Sequence, residues 1–194
     1  MATNLGNYGG NKSPLMTTHS VASQCASEPS IKATPAGVTI RELNGHDLER
    51  GFLDVLSGLA SVELTLEQAR EVLRQRLRRD VHTYVACRDE RVVGTAALLV
   101  EHKFIHGGSR CGHLEDVVVD REYQGTGIAT ALVRHVIREA QRFGCYKVIL
   151  SCYESLVPFY ERTGFHVQDV GMRMDLPHQE AKDSTIDGRW AGLE

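Results

Sequence analysis

The stretch from Gly112 to Thr130 leaves this chain the fewest ways to fold. It opens as Gly112-His113-Leu114-Glu115-Asp116-Val117-Val118-Val119, a β-branched run carrying two adjacent acids. It then passes through Tyr123-Gln124-Gly125-Thr126-Gly127 into Ile128-Ala129-Thr130 and the periodic apolar residues Ala131, Leu132, Val136 and Ile137. β-Branching predicts a strand, the glycines a sharp loop, and the apolar spacing a helix. Such a turn leaves several backbone N–H groups aimed at one spot beside the positive end of the helix, which suits a diphosphate. Glycine turns into helices are common, so the more specific signal is Gln124-x-x-Gly127-x-Ala129 placed directly after an acid-bearing strand.

Length and composition bound the rest. A chain of 194 residues, 42% apolar and 24% charged, fits one ordinary domain with a useful core. The net charge of −3 provides no broad basic footprint, which argues against nucleic acid as a partner and makes any anion site local. Cys25, Cys87, Cys111, Cys145 and Cys152 are odd in number and lack paired metal-ligand spacing, so reduced, mostly buried thiols in a cytoplasmic protein are expected. The nine histidines form no HExxH-like cluster, and no metal is expected. Residues 1–37, rich in Ser, Thr, Asn, Gly and Pro, read as a disordered extension without a signal peptide or membrane span. Residues 177–194 read as a polar tail, which leaves 38–176 as the domain and no membrane partner.

Within that domain, Val38 to Leu43 alternates as a strand, and a helix is expected from Asp47 through Leu56. Thr65-Leu66-Glu67-Gln68 is a capping-box pattern opening a second helix. That helix carries Leu66, Ala69, Val72, Leu73 and Leu77 on one side, and Arg70, Arg74 and Arg78 on another that reads as a solvated face. His82–Cys87 and Arg91–Val100 predict a hairpin turning at Asp89-Glu90, its second arm continuing through His106. The helix after the glycine loop should end at Gly144, followed by a strand over Tyr146–Cys152, a short helix around Leu156–Arg162 and a last strand from His166 to Leu176. The order β-α-α-β-β-β-α-β-α-β is a mixed α/β sheet.

The loop Gln124-x-x-Gly127-x-Ala129 resembles that of the GNAT acyltransferases, which holds the pyrophosphate of acetyl-CoA. Four further segments, Lys103-Phe104-Ile105-His106, Gly112–Asp116, Gly144-Cys145-Tyr146-Lys147 and Phe159-Tyr160-Glu161-Arg162-Thr163-Gly164-Phe165, are similar to the glucosamine 6-phosphate N-acetyltransferase family. The resemblance implies the GNAT fold, a mostly antiparallel mixed sheet flanked by helices. It implies acetyl-CoA as co-substrate, an amino-sugar phosphate as acceptor, direct attack in a ternary complex, a role in making the UDP-N-acetylglucosamine precursor, and a homodimer. Carried residue by residue, it places Val117, Val118, Val119, Gln124, Gly125, Thr126, Gly127, Ile128, Ala129, Thr130 and Arg162 at acetyl-CoA. Lys103, His106, Glu115, Asp116, Ser151 and Arg173 fall at the acceptor.

Acetyl transfer to an amine needs a neutral nitrogen, donors for the developing oxyanion and a proton for the departing thiolate. A tyrosine with an ordinary pKa near 10 is protonated at neutral pH and can supply that proton, so Tyr160 reads as the general acid, or else as a ring packed beside Phe159. Glu115 and Asp116 are adjacent on a strand and are expected on opposite faces. The resemblance implies that Glu115 binds the amine or accepts its proton through water, whereas Asp116 contacts substrate or pairs with Arg or Lys. Taken alone, Lys103 and His106 are plain surface residues. The family pattern is broken by Ser151 in place of an aspartate, Leu156 in place of Asn, Ala60 in place of Thr, and Asp175 in place of an Arg, with Arg173 two residues back on the same face. These departures touch the acceptor more than acetyl-CoA. They keep open a different small amine as acceptor and, from another class, an acyl-CoA-binding module without turnover.

Overall fold

A computed structural model describes residues 34–176, so most of the N-terminal extension, including Cys25, and all of the C-terminal tail lie outside the described residues. Strands β1 (Thr39–Glu42), β2 (Val81–Arg88), β3 (Arg91–His102), β4 (Arg110–Val119) and β5 (Cys145–Ile149) form one sheet in that order. The first four pair antiparallel and β5 joins β4 in parallel. A parallel neighbour requires a crossover, which here is the helix after the glycine loop. Helices α1 (Phe52–Leu56), α2 (Leu66–Leu77), α3 (Ile128–Arg142) and α4 (Val157–Glu161) flank the sheet. This is the mixed, mostly antiparallel α/β arrangement expected.

Two apolar layers hold the faces. On one face α3 packs Ile128, Leu132, Val133, Val136 and Ala140 against Ala86, Val93, Leu98, Leu114 and Val119. A Cβ at Gly94 would lie 3.1 Å from Leu132 Cδ1, and one at Gly112 would lie 3.4 Å from Ala140 Cβ, so these two glycines let α3 approach closely. On the other face, Leu48, Phe52, Val55, Ala69 and Leu73 cover Val85, Cys87 and Val92. The capping box forms as the pattern predicts, with the Gln68 N–H donating to Thr65 Oγ1 (3.2 Å) and the Thr65 N–H to Gln68 Oε1 (2.8 Å). The Arg face of α2 is spent on surface acids, Arg74 pairing with Glu71 and Arg70 with Glu49.

Three elements depart from expectation. The helix expected from Asp47 is a 3-10 turn over Asp47–Glu49 and a separate α1, because Gly51 between them sits at φ +95°. The hairpin arm ends at His102 rather than His106, whose own φ of +54° and the following Gly107 and Gly108 turn the chain. No strand forms over residues 166–176. Val167, Val170, Met172, Met174 and Leu176 are exposed there, and an extended segment without a partner ladder gains too little to offset its ordering entropy.

Asp47 illustrates how one acid sets a local path. Its side chain is 1% exposed; Arg41 donates to both its oxygens at 2.7 Å and the Asn44 N–H adds a third bond at 2.8 Å. Burial pushes this carboxyl up, but the bonds from Arg41 and Asn44 outweigh it and hold it below the usual carboxylate range. A depressed folded value means stability that is present above the unfolded pKa of about 4 and lost as pH falls through the lower folded value. Arg41 is partly exposed and screened, so Asp47→Asn is expected to cost about 1–2 kcal/mol at pH 7. Thermal denaturation from pH 7 to pH 2.5 checks this. The gap between wild type and variant should close in acid, and a gap independent of pH would refute the linkage.

Candidate active site

The centre of the site is a break in β4. Across the β3–β4 ladder Thr95 faces Val118 and Ala97 faces Glu115, so Asp116 and Val117 together oppose Ala96 alone. This is a β-bulge, and Asp116 within it sits at φ +52°. On the other side of β4 the parallel ladder with β5 ends at His113 opposite Ile149. Beyond that pair β5 has ended while β4 runs on to Val119, and this wedge has the backbone of Glu115–Val119 along one side. Val117 and Val118 are half-buried and Val119 is buried, so their side chains belong to the core while their backbone borders the wedge.

The bulge corrects one expectation. Leu114 and Val117 both pack into the α3-side core, so Glu115 and Asp116 between them are both turned away from it instead of lying on opposite faces. The inserted residue has broken the alternation that the expectation assumed.

The loop that follows is built to leave its amides free. Gly125 and Gly127 have φ of +76° and +90°, and Gly127 is the N-cap of α3 without a side-chain cap. The Gly127 carbonyl accepts from the Ala131 N–H at 3.0 Å, so the amides of Ile128, Ala129 and Thr130 precede the first intrahelical bond. No acid occupies the first turn. Thr126 Oγ1 donates to the Tyr123 carbonyl at 2.6 Å, and Gln124 Nε2 donates to the Val119 carbonyl at 3.3 Å. Gln124 therefore ties the loop to the end of β4. These uncapped amides at a helix terminus fit a diphosphate.

Tyr160 reaches the site from α4 and is 9% exposed. Its ring makes edge contacts with Phe159 (4.9 Å between centroids) and Phe165 (5.9 Å). Its carbonyl accepts from the Thr163 hydroxyl (2.7 Å) and from the amides of Thr163 and Phe165, which closes α4 through Gly164 at φ +102°. The Thr-Gly-Phe ending thus fixes the tyrosine by its backbone. Burial, then the neighbouring Cys152 thiol, then the Glu115 carboxylate push the Tyr160 phenol above its ordinary value. The ring is therefore packed beside Phe159, as one reading of the sequence has it, while the hydroxyl is kept protonated.

The remaining predicted residues are spread more widely. Lys103 Nζ lies 2.5 Å from Glu101, whose second oxygen is 2.8 Å from His113 Nε2, so Lys103, Glu101 and His113 form one chain. Its partner Glu101 holds Lys103 above the usual ammonium value. His106 sets its ring 4.9 Å from that of Tyr146. Ser151 and Arg162 are exposed just beyond β5 and α4. Arg173 is exposed and bonds to Asp175, Nε to Oδ1 at 2.7 Å. Sequence reasoning overlooked Arg76, which extends from α2 to Asp116 with 3.5 Å between Nη2 and Oδ2. The signal was present, because 66, 69, 73 and 76 continue the buried stripe of α2 at helical spacing. Among the described residues no group of three His, Cys, Asp or Glu side chains is placed to hold a metal ion.

A mostly antiparallel sheet whose bulged β4 runs past its one parallel neighbour, with a glycine loop feeding α3, is the arrangement of an acyltransferase. Residues 50–165 match the acetyltransferase (GNAT) family, and the chain belongs to that family. Within it, the chain is 39% identical over 137 residues to glucosamine 6-phosphate N-acetyltransferase of Trypanosoma brucei brucei, covering 70% of this chain and 90% of that one. It is 40% identical over 139 residues to glucosamine 6-phosphate N-acetyltransferase 1 of Oryza sativa subsp. japonica, covering 69% and 84%. Among solved structures, glucosamine-6-phosphate N-acetyltransferase from Arabidopsis thaliana superposes with a TM-score of 0.69 at 27% identity, covering 71% of this chain and 97% of that one. An acetyltransferase of Trypanosoma brucei gives 0.68 at 37%, covering 72% and 99%.

Proposed function

We propose that this acetyltransferase moves acetyl from acetyl-CoA to the amine of D-glucosamine 6-phosphate, the step that leads toward UDP-N-acetylglucosamine. The observation that carries the reading is the wedge at the β4 bulge, with uncapped loop amides at one end and Tyr160 at the other. Acetyl-CoA supplies an activated thioester. The loop amides from Gly125 to Thr130 bind its diphosphate, Arg162 stands near its other end, and backbone N–H groups of Val117 to Val119 face the acetyl oxygen. The nitrogen attacks the carbonyl carbon, the C–S bond breaks, and the thiolate takes the proton held on the Tyr160 oxygen. The amine's proton leaves to Glu115 through water. Its position beside the reacting centre, not a specially basic group, is what Glu115 contributes; an amino sugar has enough neutral amine because its oxygen neighbours withdraw charge.

Lys103, His106, Asp116 and Ser151 are the acceptor-side residues, with Lys103 oriented by its bridge through Glu101 to His113. The reading extends to a cytoplasmic homodimer. The outer edge of β5 has no strand beside it among the described residues, Tyr146, Ile149, Phe104 and Ile105 expose apolar surface near it, and residues 166–176 carry a matching apolar segment. That segment of a second copy becomes a strand on pairing, and Arg173 then acts in the partner's site. A second reading, another small amine as acceptor, is favoured by the pairing of Arg173 with Asp175, which neutralises the cation otherwise available to a phosphate.

One assay separates these. Purified protein is given acetyl-CoA with glucosamine 6-phosphate, unphosphorylated glucosamine or a polyamine, and CoA release is followed while its mass is measured in solution. Strong preference for the phosphorylated sugar and a mass of two chains are expected. Equal use of glucosamine, or preference for the polyamine, refutes the acceptor assignment; a monomeric mass refutes the shared site; binding of acetyl-CoA without turnover leaves a binding module.

A further inference from the structure

Among the described residues three buried side-chain polar atoms have no hydrogen-bond partner: Arg76 Nε, Thr83 Oγ1 and Arg134 Nη1. Arg76 and Thr83 line the same cavity, a space of about 70 Å³ between α1, α2 and the sheet. Leu48, Phe52, Leu56 and Leu73 give it apolar walls, while Thr83, Thr95 and Asp116 form a polar floor beside Arg76. A cavity of this size lined only by hydrocarbon stays dry, but one with unpaired donors has room and partners for ordered water or a ligand hydroxyl. Thr83 is 5% exposed, so its hydroxyl can find a partner only from within the cavity. Thr95 is already engaged, donating to the Tyr84 carbonyl at 2.9 Å.

The cavity bears on the reaction through its floor. Asp116 occupies a left-handed conformation, uncommon for a residue other than glycine, within the bulge, and Arg76 is the side chain that reaches it from α2. The α3-side face of β4 is filled by Leu114, Val117 and Val119 with Ile128 and Leu132. An acceptor must therefore approach the acetyl group from the opposite face, where Glu115 and Asp116 stand and where the cavity opens under α2.

We infer that Arg76 is a positioning residue for the acceptor. Its guanidinium holds the Asp116 carboxylate at the bulge, and its buried Nε together with Thr83 Oγ1 is placed to hold an ordered water behind that carboxylate. The inference rests on the wedge being an N-acetyltransferase site, but not on which amine is used.

The test measures KM for acceptor and for acetyl-CoA separately in Arg76→Gln, Arg76→Lys, Asp116→Asn and the double variant Arg76→Gln/Asp116→Asn. Arg76→Gln is expected to raise the acceptor KM about tenfold, with acetyl-CoA KM within about twofold and melting temperature little changed. Lysine should recover part of the loss, and Arg76→Gln should add little on the Asp116→Asn background, because the residue acts largely through that carboxylate. An unchanged acceptor KM, multiplying effects in the double variant, or a parallel rise in both KM values with a fall in melting temperature each overturns the inference. If wild type uses another amine in place of glucosamine 6-phosphate, the proposed acceptor falls, and the same variants assayed with that amine still decide the role of Arg76. If no amine is acetylated, both fall.

Discussion

Tyr160→Phe is expected to lower the single-turnover rate of acetyl transfer about a hundredfold or more, with KM for both substrates within a few-fold of wild type. Removing a positioned general acid costs about 10²- to 10⁴-fold, and following a single turnover prevents slow CoA release from masking the chemical step. Phenylalanine keeps the edge contacts with Phe159 and Phe165, and the backbone bonds that close α4 do not involve the hydroxyl, so the melting temperature should move little. The pH dependence gives a second check with a definite sign. Burial, Cys152 and Glu115 all raise the phenol above its ordinary value near 10, so its proton remains in place across the neutral and alkaline range. Wild-type kcat should not fall through loss of this acid below about pH 10. A variant as fast as wild type would remove Tyr160 from the chemistry and leave it as a packing residue.

Gly127→Val is expected to raise KM for acetyl-CoA at least tenfold while leaving the acceptor KM nearly unchanged. The added Cβ itself finds space, with Pro35 Cγ at 3.8 Å as its nearest neighbour, so crowding is not the cause. The cause is the backbone: a β-branched residue at φ +90° stores about 1–3 kcal/mol of strain, and the loop relieves it by rotating its amides away from the point they share. Gly127→Ala should show the same direction with a smaller effect, which separates local strain from general unfolding. Unchanged acetyl-CoA affinity in both variants would mean that the loop does not hold the diphosphate.

Much of this site could be read along the chain, because its parts are local. The strand of β4, the glycine loop and α3 follow one another without interruption, so periodicity, β-branching and two glycines specified their geometry together. The capping box at Thr65 and the two-residue turn at Asp89-Glu90 were legible for the same reason, each being a contact between near neighbours. Asp89 and Glu90 adopt the positive φ that such a turn demands even though neither is glycine.

What failed was long-range. The bulge at Asp116 depends on how β4 registers against β3, and no local signal in Leu114–Val119 announces it; the expectation of opposite faces for Glu115 and Asp116 failed there. The last strand was expected from composition, yet a strand is stable only where another edge receives it, and residues 166–176 have none within the described chain.

By itself the sequence determined the order of elements as far as α4 and the glycine loop that feeds α3, since these depend on residue type and on neighbours a few positions away. Only the tertiary structure decided that the β4–β5 ladder ends at His113 and Ile149, and that Asp116 meets Arg76 of α2, 40 residues earlier. It also placed Glu115 close enough to shift Tyr160. Those relations join segments whose separation along the chain carries no information about distance, and they become fixed when burial of the two apolar layers sets the register of the sheet.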